Sequence, residues 1–199
     1  METNANYDYS MVVRRKIRKW YSNSDVYLNK AVERIMRVRT TIRDLLEEVR
    51  KEVNSEDMNQ GVNNVLRYLD QSGFYYRASS AHGHHNFPGG LAEHCLNVCS
   101  IALKMGKDKF PRKSIIVSAL FHDICKADRF YFNGRIILQH SKSGNKHSSR
   151  SIKILKECKF PLLPKEEYAI RWHMKKHMAI ENEFALLIFN ADKTDARRH

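Results

Sequence analysis

Two stretches decide the reading of this chain: His82-Gly-His-His-Asn-Phe-Pro-Gly-Gly-Leu-Ala-Glu-His94 and Ala119-Leu-Phe-His122-Asp123-Ile-Cys-Lys126. The second sets a His beside an Asp where an apolar helical run closes. Imidazole nitrogen and carboxylate oxygen together suit a borderline divalent cation such as Mn²⁺, Fe²⁺, Co²⁺ or Zn²⁺. One such pair holds a metal poorly, so the reading needs more ligands, and His94, His147, His173 and Asp192 stand in or beside helical stretches. In the first stretch three His lie in a loop of small and breaker residues just ahead of a helix. Pro88-Gly-Gly lets the backbone pass close to another group and enter that helix without a Cβ clash.

Outward from these stretches the pattern is helical. Leu28, Val32, Ile35, Val38, Ile42, Leu45, Val49 and Val53 recur in steps of three and four, which predicts a long amphipathic helix over about Val26–Val53. Arg34, Arg37, Arg39 and Arg43 form its solvated face, and Ser22-Asn-Ser-Asp25 offers the N-cap. A helix from Ser55 ends at Gly73, and Leu91, Cys95, Val98, Ala102 and Met105 make one stripe with His94 at its edge. Pro111 suits the first helical position of a run, Ile116 to Ile124, that is apolar nearly all round and so central. Asn133-Gly134 between short β-prone runs predicts a hairpin over about Arg129–Leu138. A helix opening at His147 ends by Pro161 and Pro164, Tyr168–His177 is helical, and a last helix runs through Phe184 and Ala191. The fold class expected is all-α with this one small β-hairpin.

The 199 residues carry a formal net charge of +13, which favours phosphate-bearing partners without choosing nucleotide over polymer. Met1–Ser10 is polar and reads as frayed. The basic run Met11–Tyr21 reads either as a helix that docks on a polyanion or as a solvated amphipathic helix packing Trp20 on the body. No apolar run has the length of a membrane span, and the N-terminal stretch lacks a signal-peptide apolar segment. Cys95, Cys99, Cys125 and Cys158 form no CxxC pair and read as reduced thiols of a cytoplasmic protein. The division expected is 1-55, a basic helical extension, and 56-199, the domain that carries the ligands.

The ordered set His94, His122-Asp123, His147, His173 and Asp192 resembles the HD-domain superfamily of metal-dependent phosphohydrolases, a helical-bundle fold with the signature H…HD…D. The resemblance is closest to the branch found in 3′→5′ exoribonucleases and relaxase-linked HD domains. It rests on His84-His85, Gly89-Gly-Leu-Ala-Glu-His94, His122-Asp-Ile-Cys-Lys126 and Asn190-Ala-Asp192-Lys-Thr-Asp195-Ala, and covers about residues 60 to 199. Cys125 stands where a Gly is usual. The OB domain common beside the exoribonuclease HD domain is not in these 199 residues, so that substrate does not transfer.

The resemblance implies one or two divalent metal ions (Mn, Fe, Co, Ni, Zn or Mg). His94, His122, Asp123 and Asp192 would hold the first, and Asp123 would bridge to a second on His147 and His173. Such a pair supplies hydroxide close to phosphorus. Lys126 would hold a phosphate oxygen, against the plain alternative of an exposed Lys. His84 and His85 would contact the substrate phosphate or protonate the leaving oxygen. His177, four residues along, competes with His173 as a ligand.

Three functions remain open at this point. The first is a phosphodiesterase or phosphomonoesterase acting on a nucleotide, cyclic nucleotide or nucleic-acid end. The second is a di-iron HD-type oxygenase, and the third a non-catalytic nucleic-acid-binding HD module. The partner expected is a phosphate-bearing substrate, with a homodimer left open and no membrane.

Overall fold

The apolar steps between Val26 and Val53 fold as one 29-residue helix, α2 (Asp25–Val53), whose buried side includes Leu28, Val32, Ile35, Ile42, Leu46 and Val49. Leu46 is fully buried on this side, and Leu45 packs against the core only partly buried. The structure is a computed structural model and describes residues 8–21, 24–80, 83–128, 130–132, 136–138 and 147–197.

Ahead of α2 lies α1 (Tyr9–Ile17), which buries Tyr9, Val13 and Ile17, so order begins earlier than the expected frayed Met1–Ser10. Arg15, Lys16 and Arg18 are exposed, while Trp20 packs against the core. Ser24 caps α2 by accepting from the Tyr27 N–H, and Ser55 does the same for α3 (Glu56–Gln71) through Met58. Then come α4 (Gly90–Gly106), α5 (Arg112–Phe121), α6 (His147–Glu157), α7 (Pro164–Trp172), the short α8 (Lys176–Ala179) and α9 (Glu183–Ala196).

Every residue of α5 from Ser114 to Phe121 is buried, as an apolar run central to a bundle must be. Helices α2, α4 and α7 pack against it, and α9 packs along α4 and α7. One hydrophobic cluster joins Tyr9 and Val13 of α1 to Ile188 of α9, so residues on both sides of position 55 share a core.

Two local readings change. Pro111 precedes the helix at ψ 127 as its cap, and α5 starts at Arg112. Pro164 does not end α6 but opens α7, where its missing N–H costs nothing. Two three-residue strands, β1 (Phe130–Phe132) and β2 (Ile136–Leu138), pair antiparallel beside the helical body, with Tyr131 opposite Ile137. The expected Asn133-Gly134 turn and the polar loop Gln139–Lys146 lie outside the described residues. No helix among the described residues is long and apolar enough to cross a membrane.

Candidate metal centre

Helix ends converge on one buried point. His94 stands in the second turn of α4, and His122 and Asp123 follow the last turn of α5. His147 opens α6, His173 follows α7, and Asp192 lies on α9. His94, His122, Asp123, His173 and Asp192 are buried.

The tautomers follow from the helix ends. The last carbonyls of a helix lack N–H partners. His122 donates its Nδ1–H to the Ala119 carbonyl at 2.8 Å, and His173 donates its own to Ile170 at 2.7 Å. Each Nε2 is therefore left with a lone pair pointing into the centre.

His94 Nε2 lies 3.2 Å from His122 Nε2 and 3.3 Å from Asp192 Oδ1. Asp123 Oδ2 lies 3.3 Å from His122 Nε2 and 3.6 Å from His94 Nε2. Asp123 Oδ1 lies 3.6 Å from the Nε2 atoms of both His147 and His173, which are 3.3 Å from each other. Donors bound at ~2.1 Å and separated by tetrahedral to right angles stand about 3.0–3.4 Å apart, close to this spacing. Asp123 Oδ1 is buried and makes no hydrogen bond among the described residues. It faces the Nε2 atoms of His147 and His173, and the free energy that a buried carboxylate oxygen without a hydrogen bond costs is one a cation there would offset. The donor set fits a divalent metal.

The charges agree with that geometry. Burial alone pushes the Asp123 carboxyl up, but Lys126 and His122 beside it outweigh this and hold it well below the ordinary value. Burial raises Asp192 in the same way, and the hydrogen bond from His94 reverses the shift. Burial works against the charged form of His94, yet Asp123, Asp192 and Asp195 lift it to about 10. His122 is pushed down, mainly by burial.

Lys126 Nζ lies 2.7 Å from Asp123 Oδ2 and keeps 19% of its side chain exposed. It sits on a tight 3₁₀ turn, Ile124–Asp128, rather than a further α-turn. The backbone at Cys125 stays out of the left-handed region, so the absence of Gly there leaves the turn unstrained.

Other expected residues take different places. His85 was expected at the substrate, but it is 2% exposed and turns Nε2 to Asp195 at 2.8 Å. His84 is half-buried, its ring 5.2 Å from that of His94. His177, expected on the helix face of His173, is exposed on α8, because the chain turns where Lys175 N–H bonds the Trp172 carbonyl. Asp195 is the residue that sequence reasoning passed over. Its only signal was its place in the Asp192-Lys-Thr-Asp195 motif.

The glycines explain the loop. Gly89 has φ 86, and a Cβ there would lie 2.6 Å from Ile35 Cγ1; one on Gly90 would lie 2.1 Å from the His85 carbonyl oxygen. The backbone thus passes against α2 and against its own His loop.

The HD domain profile matches residues 91–197, more than half of the chain. The chain belongs to the HD domain family. HD domains are typically metal-dependent phosphohydrolases that bind divalent metals, in keeping with the His and Asp groups gathered here. The matched segment of the HD domain holds His94, His122, Asp123, His147, His173 and Asp192, and leaves His84 and His85 outside it. Neither the curated proteins nor the solved structures give a significant match.

Proposed function

We propose that this HD domain hydrolyses a phosphate ester of a nucleotide, a cyclic nucleotide or a nucleic-acid end. The observation that carries the reading is Asp123, whose two oxygens face two separate sets of histidines. His94, His122, Asp123 and Asp192 would hold one divalent cation, and His147, His173 and Asp123 a second. When bound, such cations bring water toward hydroxide at neutral pH and offset phosphate charge.

The chain's own groups do the rest. Lys126 keeps Asp123 ionised and presents an ammonium beside it, placed for a phosphate oxygen. Burial, with the positive His94 and Lys126 nearby, pushes His84 down, so its ring is uncharged at neutral pH and can donate a hydrogen bond from its N–H to a substrate phosphate oxygen. Ser79 and Ser80 fix that loop by donating to the His84 carbonyl at 3.2 and 2.8 Å. The nucleotide or nucleic-acid class is favoured by the net charge of +13 and by the double-His and Gly-Gly turn shared with the nuclease-linked branch.

Metal analysis of the purified protein, followed by a panel from bis(p-nitrophenyl) phosphate through nucleotides to short RNA and DNA, tests this. Turnover with Mn²⁺ under anaerobic conditions is expected. Turnover that requires iron and oxygen would replace hydrolysis with oxygenation.

A further inference from the structure

His94 differs from the other buried ligand candidates in where it stands. His122 and His173 follow helix C-termini, where spare carbonyls take their Nδ1–H. His94 is in the second turn of α4, where the helix's own N–H groups take up the backbone carbonyls and none is spare. Its acceptor comes from another helix. Asp195 Oδ2 on α9 lies 2.7 Å from His94 Nδ1, and the same oxygen lies 2.8 Å from His85 Nε2.

These three side chains also lie close enough together to suggest a metal group of their own. The distances argue otherwise. At 2.7 and 2.8 Å they are hydrogen bonds, shorter than the ~3.0–3.4 Å expected of donors sharing one cation. A carboxylate oxygen has only lone pairs to offer, so at these distances Asp195 Oδ2 accepts from both rings.

We propose that Asp195 is the positioning residue of His94 and that His85 holds Asp195 in place. The proposal rests on His94 being a metal ligand. By accepting the Nδ1–H, Asp195 leaves Nε2 as the atom turned to His122 and Asp192. A carboxylate is a stronger acceptor than the carbonyls serving His122 and His173, and it makes the ring a better donor to a cation.

His85 is built for this inward task. It is a non-glycine residue at φ 54, its carbonyl accepts the Ser79 N–H at 3.0 Å, and Gly90 approaches where no Cβ would fit. A conformation of this cost persists where the surroundings fix it. The link spans 110 residues, tying the His loop to α9 and through Asp195 to the metal centre.

Co²⁺ titration of the full chain and of Asp195→Asn tests the proposal. Asparagine keeps the volume, loses the charge and offers an N–H where His94 needs an acceptor. Co²⁺ affinity should fall roughly 10–100-fold, while the metal-free variant melts within a few degrees of the parent. His85→Phe, which keeps the loop filled but donates no proton, should show a smaller loss and carries the test if Asp195→Asn does not fold. In the Zn²⁺-loaded parent, nitrogen-15 spectra should place the His94 proton on Nδ1, and Asp195→Asn should displace that signal. A purely structural role would leave the signal where it is. Parent-like Co²⁺ affinity and spectra in both variants overturn the role of Asp195 alone. A parent that binds no Co²⁺ overturns the metal reading, and this proposal with it.

Discussion

His94 Nε2 and His122 Nε2 stand 3.2 Å apart, with both rings fully buried. His122 presents a lone pair there, since its proton is on the Ala119 carbonyl side. Without metal, His94 bridges the gap by carrying the proton, as its lift to about 10 requires. A cation at this point must therefore displace a proton. Calorimetric titration with Mn²⁺ at pH 7.5 should give heats that vary with buffer ionisation enthalpy, by about one proton per first-site metal. Heats independent of buffer would contradict this arrangement.

The same proton sets the pH dependence of the metal-free fold. The folded value of His94, about 10, is above its unfolded 6.5. Its stabilisation is therefore complete below pH 6.5, declines as pH rises and is gone above about 10. His122, pushed down by burial, acts oppositely and weakens the fold as pH falls below 6.5. Urea unfolding of the metal-free parent and His94→Gln should show a stability gap that shrinks from pH 6.5 to 10. A constant gap would refute the assignment.

Asp123 faces both histidine sets, so Asp123→Asn should lower the content of both metals and take hydrolysis to background. His147→Ala should remove only the second metal and reduce activity while leaving the fold largely intact, because His147 is the partly exposed first residue of α6. Elemental analysis and activity together check the pair. Unchanged activity in His147→Ala would make the centre mononuclear.

Gly90→Ala should destabilise the protein by about 1–3 kcal/mol. The added carbon would lie 2.1 Å from the His85 carbonyl oxygen, a backbone atom that cannot rotate away. Since His85 leans on Asp195, the variant should also bind Co²⁺ more weakly. Parent-like melting and binding would show that the loop is not clamped as described.

The basic stretch from Arg14 to Arg18 tests whether the proposed substrate is a polymer. Replacing Arg14, Arg15, Lys16 and Arg18 together should weaken RNA or DNA binding and flatten its salt dependence, since each neutralised phosphate releases counterions. Turnover of bis(p-nitrophenyl) phosphate should be spared. Oligonucleotide binding and turnover equal to those of the parent would end the idea that this stretch serves a nucleic-acid substrate.

Much of this was legible locally. The stripe of α2 and the all-apolar α5 are properties of neighbouring residues, because helical periodicity alone decides which side meets a core. The types and order of the candidate metal donors, from His94 to Asp192, were also plain in the sequence. So was the need for Gly89 and Gly90, though not what approaches them, which is Ile35 and the His85 carbonyl.

What periodicity missed is where local rules compete. A helix through His173 to His177 satisfies the pattern, yet His173 spends its Nδ1–H on the Ile170 carbonyl and the chain turns away, leaving His177 in solvent. Asp195 and His85 show the larger gap, since they meet across 110 residues. Sequence determined which side chains were on hand to bind a metal. Only the packing of α9 along α4 decided that one carboxylate would face the cluster and that the other, a turn later, would orient a histidine, because contacts so distant along the chain depend on how whole helices dock.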